Sequence, residues 1–375
     1  MPKLSEIFTL QMGKTPARAK NEYWNNGDND WVSISDLSTY DKYVGETKET
    51  ISDLAVMESG IKPAPADTVI MSFKLSLGKT AITVKPTYTN EAIMAFIPNG
   101  NYPVHTSYFY HFFVGYDWSN GTNRAVMGST LNKATLSEIE ITVPSIMEQV
   151  EIAKCLDKID ALISLRKQQL SKLDELVKSR FIEMFGDPYI NDKNWAMKTF
   201  GDICTVRQGL QIPISKRLTQ YEEDCYEYIT VAYLHGSKER EYIKSPKSTV
   251  VCTKADILMT RTGNTGMVVT DVEGVFHNNF FLIDFDRTKY SKRFLVEYLN
   301  LDLIQTEIIK RAGTSTIPDL NHGQFYAISI YEPPLELQDQ FATFIEQTDK
   351  SKLAIQKSLD QLETLKRALM QKYFG

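Results

Sequence analysis

Two stretches of the chain, Pro144 to Gly186 and Pro333 to Gly375, superpose without a gap. The shared positions include Pro144 with Pro333, Gln149 with Gln338, Ala153 with Ala342 and Asp160 with Asp349, then Leu170, Leu173, Leu176, Phe185 and Gly186 with Leu359, Leu362, Leu365, Phe374 and Gly375. Each copy predicts one long helix, because proline stands where a helix can start and glycine where it stops. In the first copy Ile152, Leu156, Ile159, Ile163, Leu170, Leu173, Val177 and Met184 recur in steps of three and four, interrupted at Arg166. That spacing is the seam of a coiled coil. The second copy keeps Phe341, Ile345, Ile355, Leu359, Leu362 and Leu369 but places Thr348, Lys352 and Lys366 at seam positions. Each stripe therefore needs a partner, and the two helices are expected to pair with each other. About 40 residues at roughly 1.5 Å each make a helix of about 60 Å, the length of a spacer rather than of a core helix.

The repeat continues outside the helices. Leu4 to Leu10 followed by Gly13 matches Phe200 to Val206 followed by Gly209, and Trp31 to Leu37 matches Tyr228 to Leu234. Both of the latter alternate like half-buried strands. Asp67 to Phe73 is echoed by Asp256 to Arg261, each leading through a polar loop closed by Gly78 or Gly266 to a returning strand, Ala81 to Val84 or Met267 to Thr270. Apolar runs at Ala92–Pro98 and Phe280–Phe285 then lead to aromatic helices at Tyr108–Val114 and Phe294–Leu303. The expected division is a globular module over 1–144, a helix over 145–186, a second module over 187–333 and a helix over 334–375. Its class is α+β.

Apolar content of 42% and charged content of 24% are those of an ordinary globular protein. No apolar run is long enough for a membrane span, and Met1 to Thr15 lacks the apolar core of a signal peptide, so a cytoplasmic location is expected. The net charge is −5. No segment is basic by itself, so any contact with nucleic acid must use local patches or borrow charge from other subunits. Cys155, Cys204, Cys225 and Cys252 are scattered without companion histidines, and no metal site is expected.

Catalytic motifs are missing where they are nearly spelled. Leu77-Gly78-Lys79-Thr80 ends like a phosphate-binding loop, but Phe73 stands where its first glycine is needed. Asp187-Pro188-Tyr189 lacks the second proline of a base-holding methyltransferase motif, and Glu46-Thr47-Lys48 lacks the Pro-Asp of a nuclease. The five histidines sit in no nucleophile or zinc signature. What remains are polar loops with side chains suited to base edges and phosphates. In the first module these are Lys14, Arg18, Lys20, Lys74, Ser76, Lys79 and Arg124. In the second they are Lys216, Arg217, Lys238, Arg240, Arg261, Thr262, Asn264, Thr265 and Arg311.

Two diverged modules alternating with two related helices, the junction Met184-Phe185-Gly186-Asp187-Pro188, and the Gly201-Asp202-Ile203 opening together resemble the specificity subunit of type I restriction-modification systems. The loop from Arg261 to Gly266, and Pro333-Pro334-Leu335 followed by Gln338, add to the resemblance. It implies two mixed α/β target recognition domains, each reading one half of a bipartite double-stranded DNA target. It also implies two long helices paired as an antiparallel coiled coil, with a pseudo-twofold internal repeat, that fix the spacing between the halves. The implied partners are two modification (methyltransferase) subunits and the restriction (translocase/nuclease) subunits. S-adenosylmethionine, ATP and Mg2+ would be bound by those partners, and none by this non-catalytic chain. The first module departs from the pattern, since Phe73 to Gly78 lacks the arginine and asparagine of the second. Two other readings of the residues stay open at this point: a scaffold joining two protein-binding modules, and a stand-alone DNA methyltransferase or nuclease.

Overall fold

The computed structural model describes residues 1–74, 76–118, 131–236, 239–313 and 318–375, with backbone alone at Asn26 and at 123–125 and 128–130. The first module runs β1 (Phe8–Met12), β2 (Trp24–Val32), β3 (Glu49–Ile51), β4 (Val69–Ser72), β5 (Thr80–Ile82), β6 (Tyr88–Thr89), β7 (Ile93–Pro98), β8 (Asn123–Ala125) and β9 (Gly128–Thr130). The second runs β10 (Ala196–Thr199), β11 (Cys204–Gln208), β12 (Cys225–Ile229), β13 (Tyr242–Lys244), β14 (Val251–Cys252), β15 (Ile257–Thr260), β16 (Val268–Thr270), β17 (Gly274–Phe276), β18 (Phe280–Phe285) and β19 (Ser329–Glu332).

One topology is used twice. The order β1-β7-β4-β5 in the first module is repeated as β11-β18-β15-β16 in the second, antiparallel throughout. A smaller sheet accompanies each, β3-β2-β6 or β13-β12-β17-β14, with one parallel pair in each case. β4 and β15 are buried at every residue, which explains why they read as continuous apolar runs rather than alternating ones. The stretches Trp31–Leu37 and Tyr228–Leu234 correct the sequence reading. The strands end at Val32 and Ile229, and one helical turn comes next at Ile34–Leu37 and Val231–Leu234. The Ser33 and Thr230 hydroxyls accept from the amides of Asp36 and Tyr233, so N-capping overrides the alternating pattern.

The two long helices span Ile146–Phe185 and Leu335–Phe374. Compact packing divides the chain into Met1–Lys167 with Lys357–Gly375 (unit 1) and Gln168–Gln356 (unit 2), so the division cuts both helices in the middle. Within unit 1, Asp160 receives Lys366 at 2.5 Å and Lys167 lies 3.6 Å from Glu363. Within unit 2, Asp174 receives Lys352 at 2.6 Å while Phe181 and Phe185 meet Phe341. Both pairings are antiparallel. The two lysines that seemed to spoil the second seam are each answered by an aspartate of the first helix. Such half-open ion pairs add only about 0–1 kcal/mol, so they fix register more than they stabilise. Along the seam Leu156, Ile159, Val177, Ile345 and Leu359 are buried, whereas Ile152, Ile163, Leu170, Leu173, Ile355, Leu362 and Leu369 are half-buried.

Each module is held by two helix ends. At its own helix start sits a fully buried glutamine. Gln149 donates to the carbonyls of Pro103 and Pro144 and accepts from the His105 amide at 2.8 Å; Gln338 donates to those of Lys289 and Pro333 and accepts from the Ser291 amide at 2.8 Å. At the other side the far end of a helix inserts an aromatic ring. Phe374 packs on Tyr108 and Phe112 of the helix Thr106–Gly115, and Phe185 packs on Phe294 of the helix Lys292–Asn300. Gln338→Leu would take this partner from the buried Pro333 carbonyl and from the part-buried Lys289 carbonyl and Ser291 amide, at a cost of roughly 3 kcal/mol. A fall in the urea midpoint with unchanged slope checks this, and a wild-type midpoint contradicts it.

Candidate nucleic-acid interface

The hairpin loops between β4 and β5 and between β15 and β16 share one hydrogen-bonded frame. In the first, the Ser72 hydroxyl donates to the Ser76 carbonyl and accepts from the Lys79 amide at 3.1 Å, and the Gly78 amide reaches Ser72 O at 3.0 Å. In the second, the Thr260 hydroxyl donates to Asn264 O at 2.5 Å and accepts from the Met267 amide at 2.9 Å, and the Gly266 amide reaches Thr260 O at 2.9 Å. Gly78 and Gly266 adopt φ of 79° and 88°, and a Cβ there would lie 2.8 Å from Trp118 or Ile308, so both steric space and backbone angle require glycine. A neighbouring segment is tied to each loop in the same way, through Leu131 N to Phe73 O and Leu320 N to Arg261 O.

The side chains on this common frame differ. Where the first module has Met12, Phe73 and Lys133, the second has Gln208, Arg261 and His322. Phe73 is buried, whereas Arg261 reaches out and forms a two-pronged pair with Asp319 at 2.9 and 2.7 Å. The carboxylate raises the Arg261 guanidinium above its ordinary pKa. Gln208 accepts from Arg261 at 3.4 Å and lies 2.9 Å from His322 Nε2. Burial, then the nearby guanidinium, lowers the His322 pKa and favours the neutral ring. A neutral imidazole, an amide and a guanidinium brought together offer both donors and acceptors, the chemistry of base-edge reading.

The structure brings together only part of the expected set. Arg261, Thr262 and Asn264 lie on the loop, with Asn264 exposed at φ 67° and its amide 3.3 Å from His235. Thr265 is corrected from a candidate reader to part of the frame, since it is buried and its hydroxyl donates to Arg261 O and Pro318 O. Lys74 stays beside the Phe73 ring, and Ser76 and Lys79 are exposed on the first loop. Lys14 donates to Ser59 O, and Lys20 pairs with Glu58 at 2.7 Å. Arg240 lies 4.1 Å above Tyr233, and Arg311 pairs with Glu307 one helical turn away. Lys216 is exposed, whereas Arg18 and Arg217 are folded back on aromatic rings. Lys238 and the Arg124 side chain lie outside the described residues. Gln208, Asp319 and His322 escaped the sequence reading. Gln208 carried one signal, as a polar strand end where its repeat partner is methionine.

Among the described residues no group of histidine, cysteine or carboxylate side chains could hold a metal ion, and no helix is long and apolar enough to cross a membrane.

The same architecture recurs in known proteins. Solved structures match over nearly the whole chain. One, from a study of complex assembly and conformational transition of the type I R-M system, has a TM-score of 0.63 at 16% identity, covering 99% of this chain and 96% of the other. The S subunit of a type I restriction-modification system from M. genitalium has a TM-score of 0.60 at 14% identity, covering 100% and 95%. In sequence, the MjaIX specificity subunit of Methanocaldococcus jannaschii is 26% identical, covering 99% of this chain and 91% of that protein. The EcoprrI specificity subunit of Escherichia coli is 23% identical, covering 92% and 86%. The family model for the type I restriction modification DNA specificity domain matches residues 1–175 and again 192–366. With nearly all of both modules and about three-quarters of each long helix inside those matches, the chain belongs to the type I restriction-modification DNA specificity family.

Proposed function

We propose that this chain is the sequence-reading subunit of a type I restriction-modification complex, without catalysis of its own. Each module reads one half of a split DNA target, and the paired helices set the gap between the halves. The observation that carries this reading is the shared hairpin frame with different side chains, Phe73 in one copy and Arg261 in the other. Two readers of unlike sequences need a common scaffold with a variable surface. The net charge of −5 assigns much of the phosphate neutralisation to partners, two modification subunits and, when present, restriction subunits. Those partners carry S-adenosylmethionine, ATP and Mg2+, and the assembly works in the cytoplasm.

Arg261→Ala tests the reading side. The partly exposed Arg261–Asp319 pair must open for the guanidinium to meet a base edge; loss of that bidentate contact costs about 1–3 kcal/mol of discrimination, so methylation should relax or weaken at one half-site only. Asn264→Gly is the cleaner companion, because alanine at its positive φ adds backbone strain. Mapping modified sites in cells that express the variant with its methyltransferase subunit reads the outcome. Equal loss at both half-sites contradicts the modular reading.

A further inference from the structure

The loop after the first strand of each module is pinned by the same device, built from four residue types. In the first module β1 ends at Met12, and Gly13 then passes so close to another strand that a Cβ would lie 2.2 Å from Thr89 O. Trp31 Nε1 donates to Lys14 O at 3.1 Å. Arg18 folds back with its guanidinium carbon 3.7 Å from the Trp24 ring centre and 4.9 Å from that of Trp31, and grips Glu49 of β3 at 2.6 and 3.1 Å. In the second module a Cβ on Gly209 would lie 2.2 Å from His277 O. Tyr228, at the strand position of Trp31, donates to Leu210 O at 2.8 Å and accepts from the Ile212 amide at 3.0 Å. Arg217 lies 5.0 Å from the Tyr228 ring centre, donates twice to Ile212 O, and meets Glu241 at 3.0 Å. Glycine, ring, arginine and glutamate recur in the same roles although the loops share little sequence.

We propose that Arg18 and Arg217 are positioning residues, acting through these rings and glutamates to fix loops 13–23 and 209–217 against DNA. The inference rests on the DNA-reading function proposed above. Both loops start beside the shared hairpin frame. Gly209 directly succeeds Gln208, which bonds Arg261 and His322. The loops also carry the basic residues Lys14, Lys20 and Lys216. A guanidinium packed on an aromatic ring and also paired with a carboxylate has little freedom to leave for a phosphate, whereas it can hold a backbone in one shape.

Charge makes the test decisive. Affinity for the genomic target duplex is measured for the full chain assembled with its methyltransferase subunits, as a function of salt. If Arg18 braces the loop, Arg18→Ala and Glu49→Gln each weaken binding about tenfold, and the slope of log affinity against log salt stays unchanged. Arg18→Lys gives no rescue, because an ammonium has neither the fork nor the flat face. Duplexes with one half-site scrambled confine this loss to one half, and Arg217→Ala with Glu241→Gln confine theirs to the other; an overall folding defect would affect both. If Arg18 instead touches phosphate, Arg18→Ala flattens the salt slope by about one contact and Glu49→Gln, by removing a competing negative charge, tightens binding. That result overturns the proposal, as do variants that match wild type on a duplex which wild type distinguishes from a scrambled one. A wild-type complex that makes no such distinction overturns the DNA-reading function together with the brace.

Discussion

Phe181→Ala is expected to lower the stability of unit 2 by about 3–5 kcal/mol, the range for removing a buried phenyl ring. Phe181 is fully buried near the end of the central helix. Its ring stacks on Phe294 at 5.5 Å and 17°, meets Phe341 edge-on at 5.4 Å and touches Phe185 at 4.8 Å. One side chain thus joins the central helix, the C-terminal helix and the aromatic helix of the second module. The alanine cavity would be lined by rings on three helices, which cannot all move in to fill it. Against a typical domain stability of about 5–15 kcal/mol, such a loss takes about a fifth or more. The control is Leu353→Ala on the C-terminal helix, where the side chain is 72% exposed and the change should stay within about 0.5 kcal/mol. Chemical denaturation monitored by tryptophan fluorescence measures both. A Phe181→Ala loss below about 1 kcal/mol would show that this junction does not hold the module.

The second large effect concerns the DNA gap. Both long helices pass from one packing unit to the other, the central helix at Lys167–Gln168 and the C-terminal helix at Gln356–Lys357. Lengthening one alone by four residues would strain the other by about 6 Å, so the insertion must be made at both points. Four helical residues add about 6 Å and rotate the remainder of the helix by about 40° beyond a full turn. One added base pair moves the second half-site about 3.4 Å and turns it by about 34–36°; two would turn it by about 70°. Length alone would allow nearly two pairs, but a module must face its groove to read base edges, and gentle helix curvature can absorb a few ångströms. The expected result is unchanged half-sites separated by one more base pair, visible in the methylation pattern of cells carrying the double insertion. An unchanged gap would remove the spacer role from the helices.

The parts of the fold governed by periodicity were legible. Helices expected over 145–186 and 334–375 are found at Ile146–Phe185 and Leu335–Phe374, because proline, glycine and the seam spacing act locally. The misread turns at Ile34–Leu37 and Val231–Leu234 show where periodicity fails: a single capping hydroxyl changes the backbone without changing the pattern. Lys352 and Lys366 looked like flaws because the aspartates that answer them lie on the other helix, far away in sequence. The candidate interface was legible to a similar degree. Arg261 stood out as the arginine in a glycine-rich loop, but Asp319 and Gln208, which hold it, come from remote segments. Thr265 was indistinguishable from Thr262 by residue type, and only burial separates them.

The interleaving of the two packing units has a consequence for the order of events during synthesis. Unit 2 is one continuous run, Gln168–Gln356, whereas unit 1 needs Lys357–Gly375 to finish what Met1–Lys167 begins. The module made first is therefore completed last. While the ribosome produces the intervening residues, the rings of Tyr108 and Phe112 wait for Phe374, at the far end of the second long helix. Domains usually close in the order in which they emerge. Here the order is reversed, and a nascent chain carries an unfinished apolar surface at its front until the last turn of that helix is released.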